Sequence, residues 1–303
     1  MTTLNASLVL QAAASAASQQ SYPPGALYVV ATPIGNLADL TLRAIHLLSL
    51  VDAIACEDTR QSAPMLRQLG IDKPMLAVHQ HNEREGAGAV LTRLARGERV
   101  AYVSDAGTPG ISDPGAILVA VVAAAGFRCL PIPGASSGIA ALSVAGDVAG
   151  GRFEFLGFLP ARGSERANAL QSVANNGQTQ LLFEAPHRME SLAKGLAQHC
   201  VMRRITVCRE LTKQFETVVT LNAAELPVWL AADANRTRGE FVIVVHARAD
   251  SPVEDAVSAH DATLRTLLAE LPLKQAVSLA SQLSGAPRNA LYARALALKT
   301  NVG

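Results

Sequence analysis

The sequence has little net charge and none of the common nucleotide-binding motifs. Lys and Arg together exceed Asp and Glu by only one over 303 residues, so no global positive field indicates a nucleic-acid partner, and any basic surface must be local. No G-x-G-x-x-G motif follows the first predicted strand, and no G-x-x-x-x-G-K-[ST] motif is present. The usual dinucleotide-binding and P-loop fingerprints are therefore excluded.

Paired cysteines and long apolar runs are also missing. The four cysteines, Cys56, Cys129, Cys200 and Cys208, show no paired spacing, so we expect reduced thiols and a cytoplasmic protein. No stretch approaches the roughly 18 apolar residues of a transmembrane helix. Residues 1–25 are rich in Ala, Ser and Gln but have neither the basic start nor the apolar run of a signal peptide. We expect a flexible tail there.

From residue 26 onward, short apolar runs alternate with helical patterns. This alternation predicts a mostly parallel α/β sheet with covering helices over residues 26–150. Ligands of such sheets bind beyond the carboxyl ends of the strands. The predicted strands are 26–31, 53–56, 75–78, 100–103 and 127–132, and the predicted helices are 41–50, 61–69, 83–96 and 114–125.

A second α/β unit is predicted over residues 151–249. The connection between the strands at 204–208 and 215–220 is too short for a helical crossover, so this pair should be antiparallel and the sheet mixed. The other predicted strands are 153–158, 179–183 and 241–246, with helices at 164–175, 186–198 and 222–231. Residues 250–303 show no strand pattern and predict a helical appendage, with a turn at 284–287 between helices 273–283 and 288–298.

The loop after the strand at 100–103 is dense in Gly, Pro, Ser and Asp. It runs from Ser104 to Gly115, and Asp113-Pro114 predicts the N-cap and the first residue of the next helix. Small residues let the backbone approach a ligand closely, and amides that enter a helix have no intrahelical partners. An ordinary turn seldom needs so many special residues. The loop is therefore predicted to bind a ligand.

The strand ends carry a series of motifs in a fixed order. They are LYVVATPIGNL (27–37), CEDTR (56–60), HQHNE (79–83), VSDAGTP (103–109), IPGAS (132–136), EAPHR (184–188), RELTK (209–213) and RGE (238–240). In this order they resemble the motifs of the ribosomal RNA small subunit methyltransferase I family, which has the tetrapyrrole-methylase fold. The resemblance covers residues 25–248 and continues into the helical segment, whereas the N-terminal tail has no counterpart.

The resemblance implies a two-domain tetrapyrrole-methylase-like fold and S-adenosylmethionine as the cofactor. The implied reaction is 2′-O-methylation of a cytidine ribose in the decoding region of 16S ribosomal RNA, on naked RNA or the 30S subunit, by a homodimer. The cofactor is expected between the domains against Pro33, Ile34, Gly35, Asn36, Ser104, Asp105, Ala106, Gly107, Thr108, Pro133, Gly134, Ala135, Ser136, Gly239 and Glu240. Since fold does not settle substrate, a tetrapyrrole C-methyltransferase is the alternative, and a non-catalytic RNA-binding protein is a third.

Charged residues at the strand ends are candidates for chemistry and for RNA contacts. A base that takes the 2′-hydroxyl proton could be Glu57, Asp58, His81 or Glu184. The expected RNA-binding residues are Arg60, Asn82, His187, Arg188, Arg209 and Lys213, because cationic and polar side chains suit phosphate and ribose.

Structural roles remain open for several of these residues. Glu57 and Asp58 could cap the helix that begins near Arg60. Arg60 could pair with either acid, and Arg188 with Glu184. No metal is expected, since His79-x-His81 has no further ligand at suitable spacing. The C-terminal helices, with Lys274, Arg288, Arg294 and Lys299, fit either an RNA-binding helix-turn-helix or a packing hairpin.

Overall fold

The computed structural model describes residues 5–79, 82–248 and 260–300. Two five-stranded sheets with their helices are followed by a group of helices at the carboxyl end. Within these described ranges, no helix combines the length and the apolar character needed to cross a membrane.

The chain begins with a helix that packs on the first unit. Helix α1 (Ala6–Ala17) starts at Asn5, whose side chain accepts a hydrogen bond from the amide of Leu8. Ala13 and Ala17 are fully or almost fully buried. The expectation of a flexible tail is wrong for this segment, because alanine is the best helix former and a row of small side chains allows close packing. Residues 1–4 lie outside the described ranges.

The first sheet, predicted to be mostly parallel, is parallel at all of its strand pairs. Its strands are β1 (Ala26–Val30), β2 (Ala53–Cys56), β3 (Met75–Ala77), β4 (Val100–Val103) and β5 (Arg128–Ile132), in the order β3-β2-β4-β1-β5. The covering helices are α2 (Leu42–Leu50), α3 (Thr59–Gln68), α4 (Glu83–Ala95) and α5 (Ala116–Ala124). Because β4, β1 and β5 are neighbours, the loops that leave their carboxyl ends lie side by side.

A helix that the sequence analysis did not predict follows β5. Helix α6 (Ser137–Ala145) ends at Gly146, which is left-handed with φ 64°. Its buried residues Ala141 and Ala145 pack against Leu181 and Val244 of the second sheet. The helix precedes the predicted domain boundary at residue 150, yet it packs on the second unit. Its nearly continuous apolar sequence lacks the periodic polar face by which helices are predicted.

The second sheet is mixed, as predicted. Its strands are β6 (Phe153–Phe158), β7 (Thr179–Glu184), β8 (Arg204–Arg209), β9 (Thr217–Asn222) and β10 (Phe241–Val245), in the order β6-β7-β10-β8-β9. Only β6 and β7 pair in parallel, and β8 and β9 form the predicted antiparallel hairpin. The helices of this unit are α7 (Gly163–Asn175), α8 (Met189–His199) and α9 (Leu226–Ala231).

The carboxyl-terminal helices have a small core of their own. They are α10 (Asp261–Glu270), α11 (Leu273–Ser284) and α12 (Arg288–Thr300). Leu264, Val277 and Leu291 are fully buried together. Arg294 forms an ion pair with Asp261 at 2.6 Å, so one of the basic side chains considered for RNA contact links two helices of this segment.

Candidate active site

A cavity of about 370 Å³ lies where the loops of the first sheet meet the second sheet. Its size falls within the range of small-molecule sites, about 300–1,000 Å³. Six of the expected cofactor residues line it, namely Ile34, Ala106, Gly107, Thr108, Ser136 and Glu240. The others, namely Pro33, Gly35, Asn36, Ser104, Asp105, Pro133, Gly134, Ala135 and Gly239, are not among its lining residues.

The three loops of the first wall are joined by hydrogen bonds. The amide of Thr32, after β1, donates to the carbonyl of Gly107 at 2.8 Å, and the amide of Gly107 donates back at 3.1 Å. The hydroxyl of Thr108 donates to the carbonyl of Ala135, after β5, at 3.0 Å. Gly107 is left-handed with φ 77°, and an added Cβ would lie 3.4 Å from a methyl carbon of Ile34. The cavity wall is therefore backbone held at close approach.

Helix α5, which follows the loop from Ser104 to Gly115, is capped by a side chain from a distant part of the sequence. The carboxylate of Glu83 accepts hydrogen bonds from the amides of Gly115 and Leu118, both at 2.9 Å. Helix α5 begins after Gly115, so the prediction of Asp113 as its N-cap is wrong. The reason is that Glu83, buried at the start of α4, already satisfies those amides. Asp113 faces the cavity instead.

The second wall contains a buried carboxylate between two arginines. One oxygen of Glu184 lies 3.1 Å from Arg166 Nη2, and the other lies 3.0 Å from Arg188 Nε. The Glu184 side chain has no exposed surface, and that of Arg166 is 8% exposed. Arg188 also donates to the carbonyls of Leu159 and Pro160. This arrangement favours the structural alternative for Glu184 and Arg188 over the expected catalytic and RNA-binding roles.

A second ion pair closes the other side of this wall. Lys213 Nζ lies 2.9 Å from Glu210 and 3.0 Å from Glu240. An added Cβ on Gly35 would lie 2.5 Å from Lys213 Cγ, and one on Gly239 would lie 2.6 Å from Glu210 Cδ. These two expected cofactor glycines thus make room for the ion pair, and Lys213 is already paired with two acids.

The acids after β2 differ in their surroundings. Asp58 caps α3 by accepting from the amide of Arg60 at 2.8 Å, and it also pairs with the Arg60 guanidinium at 2.7 Å. Glu57 is half-buried, and burial, followed by the charges of Asp105, Asp113 and Asp58, raises its pKa. Glu57 is not among the cavity-lining residues. His81 lies outside the described residues, so its expected role stays a prediction.

Two of the expected RNA-binding side chains project into solvent. Arg60 is 89% exposed, and His187 is also exposed. The guanidinium of Arg209 donates to the carbonyls of Arg238 and Phe215, which braces the β8–β9 loop. Asn82 accepts from the amide of His79 and donates to a carbonyl of β3, so it holds a turn.

Several cavity residues were missed by the sequence analysis. Ile111, Ser112 and Asp113 belong to the predicted ligand loop, but they follow the VSDAGTP motif (103–109) from which cofactor residues were expected. Phe158, Phe183 and Phe241 come from ends of strands β6, β7 and β10. The rule that ligands bind at strand ends could have indicated the first two, whereas the antiparallel direction of β10 required the sheet topology.

The charge of the lining residues limits what the cavity can bind. Among the described residues that line it, three are carboxylates and none is Lys or Arg. A phosphate ligand would lack a cationic partner among these residues. A cationic ligand would meet the carboxylate of Asp113, which has no basic partner among the described ion pairs, whereas Glu184 and Glu240 are already paired. The aromatic and aliphatic side chains suit a flat, partly apolar molecule. S-adenosylmethionine, which has a sulfonium and no phosphate, fits these properties.

Known protein families and related proteins match nearly the whole length of this chain. A family model described as Tetrapyrrole (Corrin/Porphyrin) Methylases matches residues 26–227, and one described as RsmI C-terminal HTH domain matches residues 254–299. A ribosomal RNA small subunit methyltransferase I of Pseudomonas aeruginosa is 47% identical over 90% of this chain and 97% of its own length. The protein of the same name from Escherichia coli O157:H7 is 43% identical over 90% of this chain and 95% of its own.

Solved structures support the fold alone. A cobalt precorrin-4 methyltransferase of cobalamin biosynthesis covers 75% of this chain and 98% of its own, with a TM-score of 0.56 and 19% identity. A uroporphyrin-III-C-methyltransferase from Thermus thermophilus covers 73% of this chain and 94% of its own, with a TM-score of 0.52 and 17% identity.

Proposed function

Since the chain belongs to the tetrapyrrole methylase family, and within it to the ribosomal RNA small subunit methyltransferase I group, we propose that it methylates 16S ribosomal RNA. The proposed reaction transfers a methyl group from S-adenosylmethionine to the 2′-oxygen of a cytidine ribose in the decoding region. The observation that carries this proposal is the cavity between the two sheets, whose described lining residues combine backbone, carboxylates and aromatic rings and include no Lys or Arg.

The loops after β1, β4 and β5 would hold the cofactor. Ile34, Gly107 and Thr108 offer backbone and small side chains on one side, and Phe183 and Phe241 offer apolar surface on the other. The bound sulfonium would supply an already activated methyl group. The protein then has to align the ribose oxygen and exclude water, and such positioning can supply a large share of the rate acceleration.

The RNA would approach the open side of the cavity. Arg60 and His187 project from different units and are exposed, so both could contact phosphate oxygens without breaking buried pairs. With few such groups available, we propose that recognition depends on the shape of an assembled 30S particle as well as on charge.

Sequence identity distinguishes this function from the alternative. A tetrapyrrole C-methyltransferase would share the fold and the cofactor, and the two solved structures named above share only 17% and 19% of residues with this chain. The relatives at 43% and 47% identity bear the ribosomal RNA name. Sequence similarity therefore favours ribosomal RNA as substrate.

We also propose a cytoplasmic homodimer. Strand β6 is at the edge of the second sheet, and its residues Phe153 and Phe155 are exposed. Edge strands with apolar side chains are usually covered, and a second copy of the chain would cover this one. A dimer mass in light scattering at micromolar concentration is the expected result.

The function is tested by mapping 2′-O-methylation of 16S ribosomal RNA in cells with and without this protein. A single cytidine in the decoding region should lose its methyl group in the deletion strain and regain it on complementation. Purified protein should transfer a labelled methyl group from S-adenosylmethionine to 30S subunits or naked 16S RNA from that strain. An unchanged methylation map, or transfer to a precorrin but not to RNA, would contradict the proposal.

A further inference from the structure

The cavity contains one carboxylate whose surroundings differ from those of the other two. Glu184 is neutralised by Arg166 and Arg188, and Glu240 by Lys213. Asp113 forms no ion pair with a basic side chain among the described residues, although it lines the same cavity. A carboxylate already bound to a cation is a weak base, since the cation stabilises its ionised form. Among the described residues that line the cavity, Asp113 is therefore the one carboxylate without a basic partner.

The groups around Asp113 are acidic or neutral. Asp105 lies in the same loop after β4. Glu57 and Tyr102 lie close enough for their pKa values to respond to the Asp113 charge. Burial raises the pKa of Asp113, the charge of Asp105 adds to the rise, and the Ser104 hydroxyl opposes it. Such surroundings make a carboxylate a better proton acceptor near neutral pH.

The backbone fixes Asp113 from both sides. Ser112 has a left-handed φ of 71°, which is uncommon for a residue other than glycine. On the other side, Glu83 binds the amide of Gly115 and so anchors the start of α5. The tip of the loop also meets the second sheet, since a Cβ on Gly157 would lie 3.4 Å from Ser112 Oγ. Strained positions held from both sides are typical of functional loops.

We propose that Asp113 is the catalytic base that accepts the proton of the ribose 2′-hydroxyl. This inference rests on the proposed function, because it requires a hydroxyl as the methyl acceptor. The O–H bond of the hydroxyl breaks and its proton passes to the Asp113 carboxylate, while the oxygen forms its bond to the methyl carbon. The electron pair of the broken S–CH₃ bond stays on sulfur and leaves a neutral thioether, so charge and atoms balance.

The test compares Asp113→Asn and Asp113→Glu with the wild type and with Asp72→Asn. Asp72 is an exposed aspartate in the loop before β3, away from the cavity. Methyl transfer to 30S subunits is measured under single turnover from pH 5 to 9, and affinities for S-adenosylmethionine and for 30S subunits are measured separately. Circular dichroism and the thermal midpoint check that each variant is folded.

We expect Asp113→Asn to lower the single-turnover rate by about 10²–10⁴-fold while both affinities change by less than about threefold. The wild-type rate should fall at low pH, as Asp113 takes up a proton, with a midpoint above the usual value of 3.8 for an aspartate. This acidic limb should be missing from Asp113→Asn and present, at partial rate, in Asp113→Glu. Asp72→Asn should behave as wild type.

Three results would overturn the assignment. An Asp113→Asn protein with the wild-type rate would show that no proton passes to this residue. A parallel loss of rate and of cofactor affinity, with the acidic limb retained, would assign Asp113 a role in binding or structure. If the wild-type protein itself transfers no methyl group to ribosomal RNA, the proposed function fails, and the role of Asp113 fails with it. If the wild type and Asp113→Asn are equally active, only the role of Asp113 fails.

Discussion

The two walls of the cavity are built by different physical means. The wall from the first sheet consists of glycine-bearing loops that are joined by backbone hydrogen bonds, as between Thr32 and Gly107. The wall from the second sheet is held by buried ion pairs, with Glu184 between Arg166 and Arg188. A parallel sheet brings the loops at its carboxyl end together, whereas this mixed sheet is linked at its cavity end by ion pairs between side chains.

This difference indicates how each wall should respond to mutation. Removing a charge from the second wall leaves its partner charge buried, which costs stability throughout the unit. Adding a side chain to the first wall would fill space in the cavity, so ligand binding should be weakened in addition to any cost to folding. Changes outside both walls should affect neither.

The largest effect is expected from Glu184→Gln. The change leaves Arg166 and Arg188 without a countercharge, and Arg166 is 8% exposed. Breaking a buried pair in this way typically costs about 3–5 kcal/mol. Urea denaturation should show that loss in the free energy of unfolding.

The matched control is Glu98→Gln. Glu98 pairs with Arg93 at 2.6 Å, but both side chains are about a quarter exposed, at 25% and 27%. A loss of about 0.2–1 kcal/mol is typical of solvent-accessible pairs. Equal losses in the two variants would mean that burial of the Glu184 pair does not distinguish the second wall.

A smaller effect, on both stability and binding, is expected from Gly107→Val. Gly107 has φ 77°, and its Cβ would point toward Ile34 in the cavity. Left-handed strain alone costs about 1–3 kcal/mol, and the added methyl groups would occupy cofactor space. Calorimetry should show S-adenosylmethionine affinity at least about tenfold weaker, equivalent to about 1.4 kcal/mol.

Gly110→Val separates strain from lost space. Gly110 has nearly the same φ, 79°, but no atom lies within 4 Å of its added Cβ. It should therefore lose similar stability and retain cofactor affinity. If both variants bind S-adenosylmethionine as the wild type does, the first wall is not where the cofactor lies.

The strands of both units were predictable because they are short apolar runs between turn residues. The observed boundaries of β2, β4 and β6 are identical to the predicted boundaries. The composition of the loop from Ser104 to Gly115 predicted a ligand-binding role; several of its residues line the cavity, and binding itself stays a prediction. Helix α6 was not, since it is apolar on all sides, and α1 was misjudged because its alanines resemble a low-complexity tail.

The site was less predictable than the fold, because its decisive contacts join distant elements. Arg188 and Glu184 are four positions apart, so their pairing was foreseen as an alternative, but Arg166 reaches Glu184 from α7. Likewise, the N-cap rule suggested Asp113 for α5, and nothing local indicated that Glu83 caps that helix from α4. Because Glu83 caps α5, the carboxylate of Asp113 is not used as the N-cap and lines the cavity instead.

The smallest effect is expected from Arg60→Ala, which lies on neither wall. Arg60 is 89% exposed, and its only acidic partner is Asp58 among the described ion pairs. Fold and cofactor binding should stay at wild-type levels, because Asp58 can still cap α3 through the backbone amide of residue 60.

If Arg60 contacts a phosphate, affinity for 30S subunits should fall, and the slope of log affinity against log salt should decrease by about one ionic contact. Arg188→Ala provides the contrast, since its loss should lower thermal stability through Glu184. An unchanged salt slope in a folded Arg60→Ala protein would exclude Arg60 from the RNA interface.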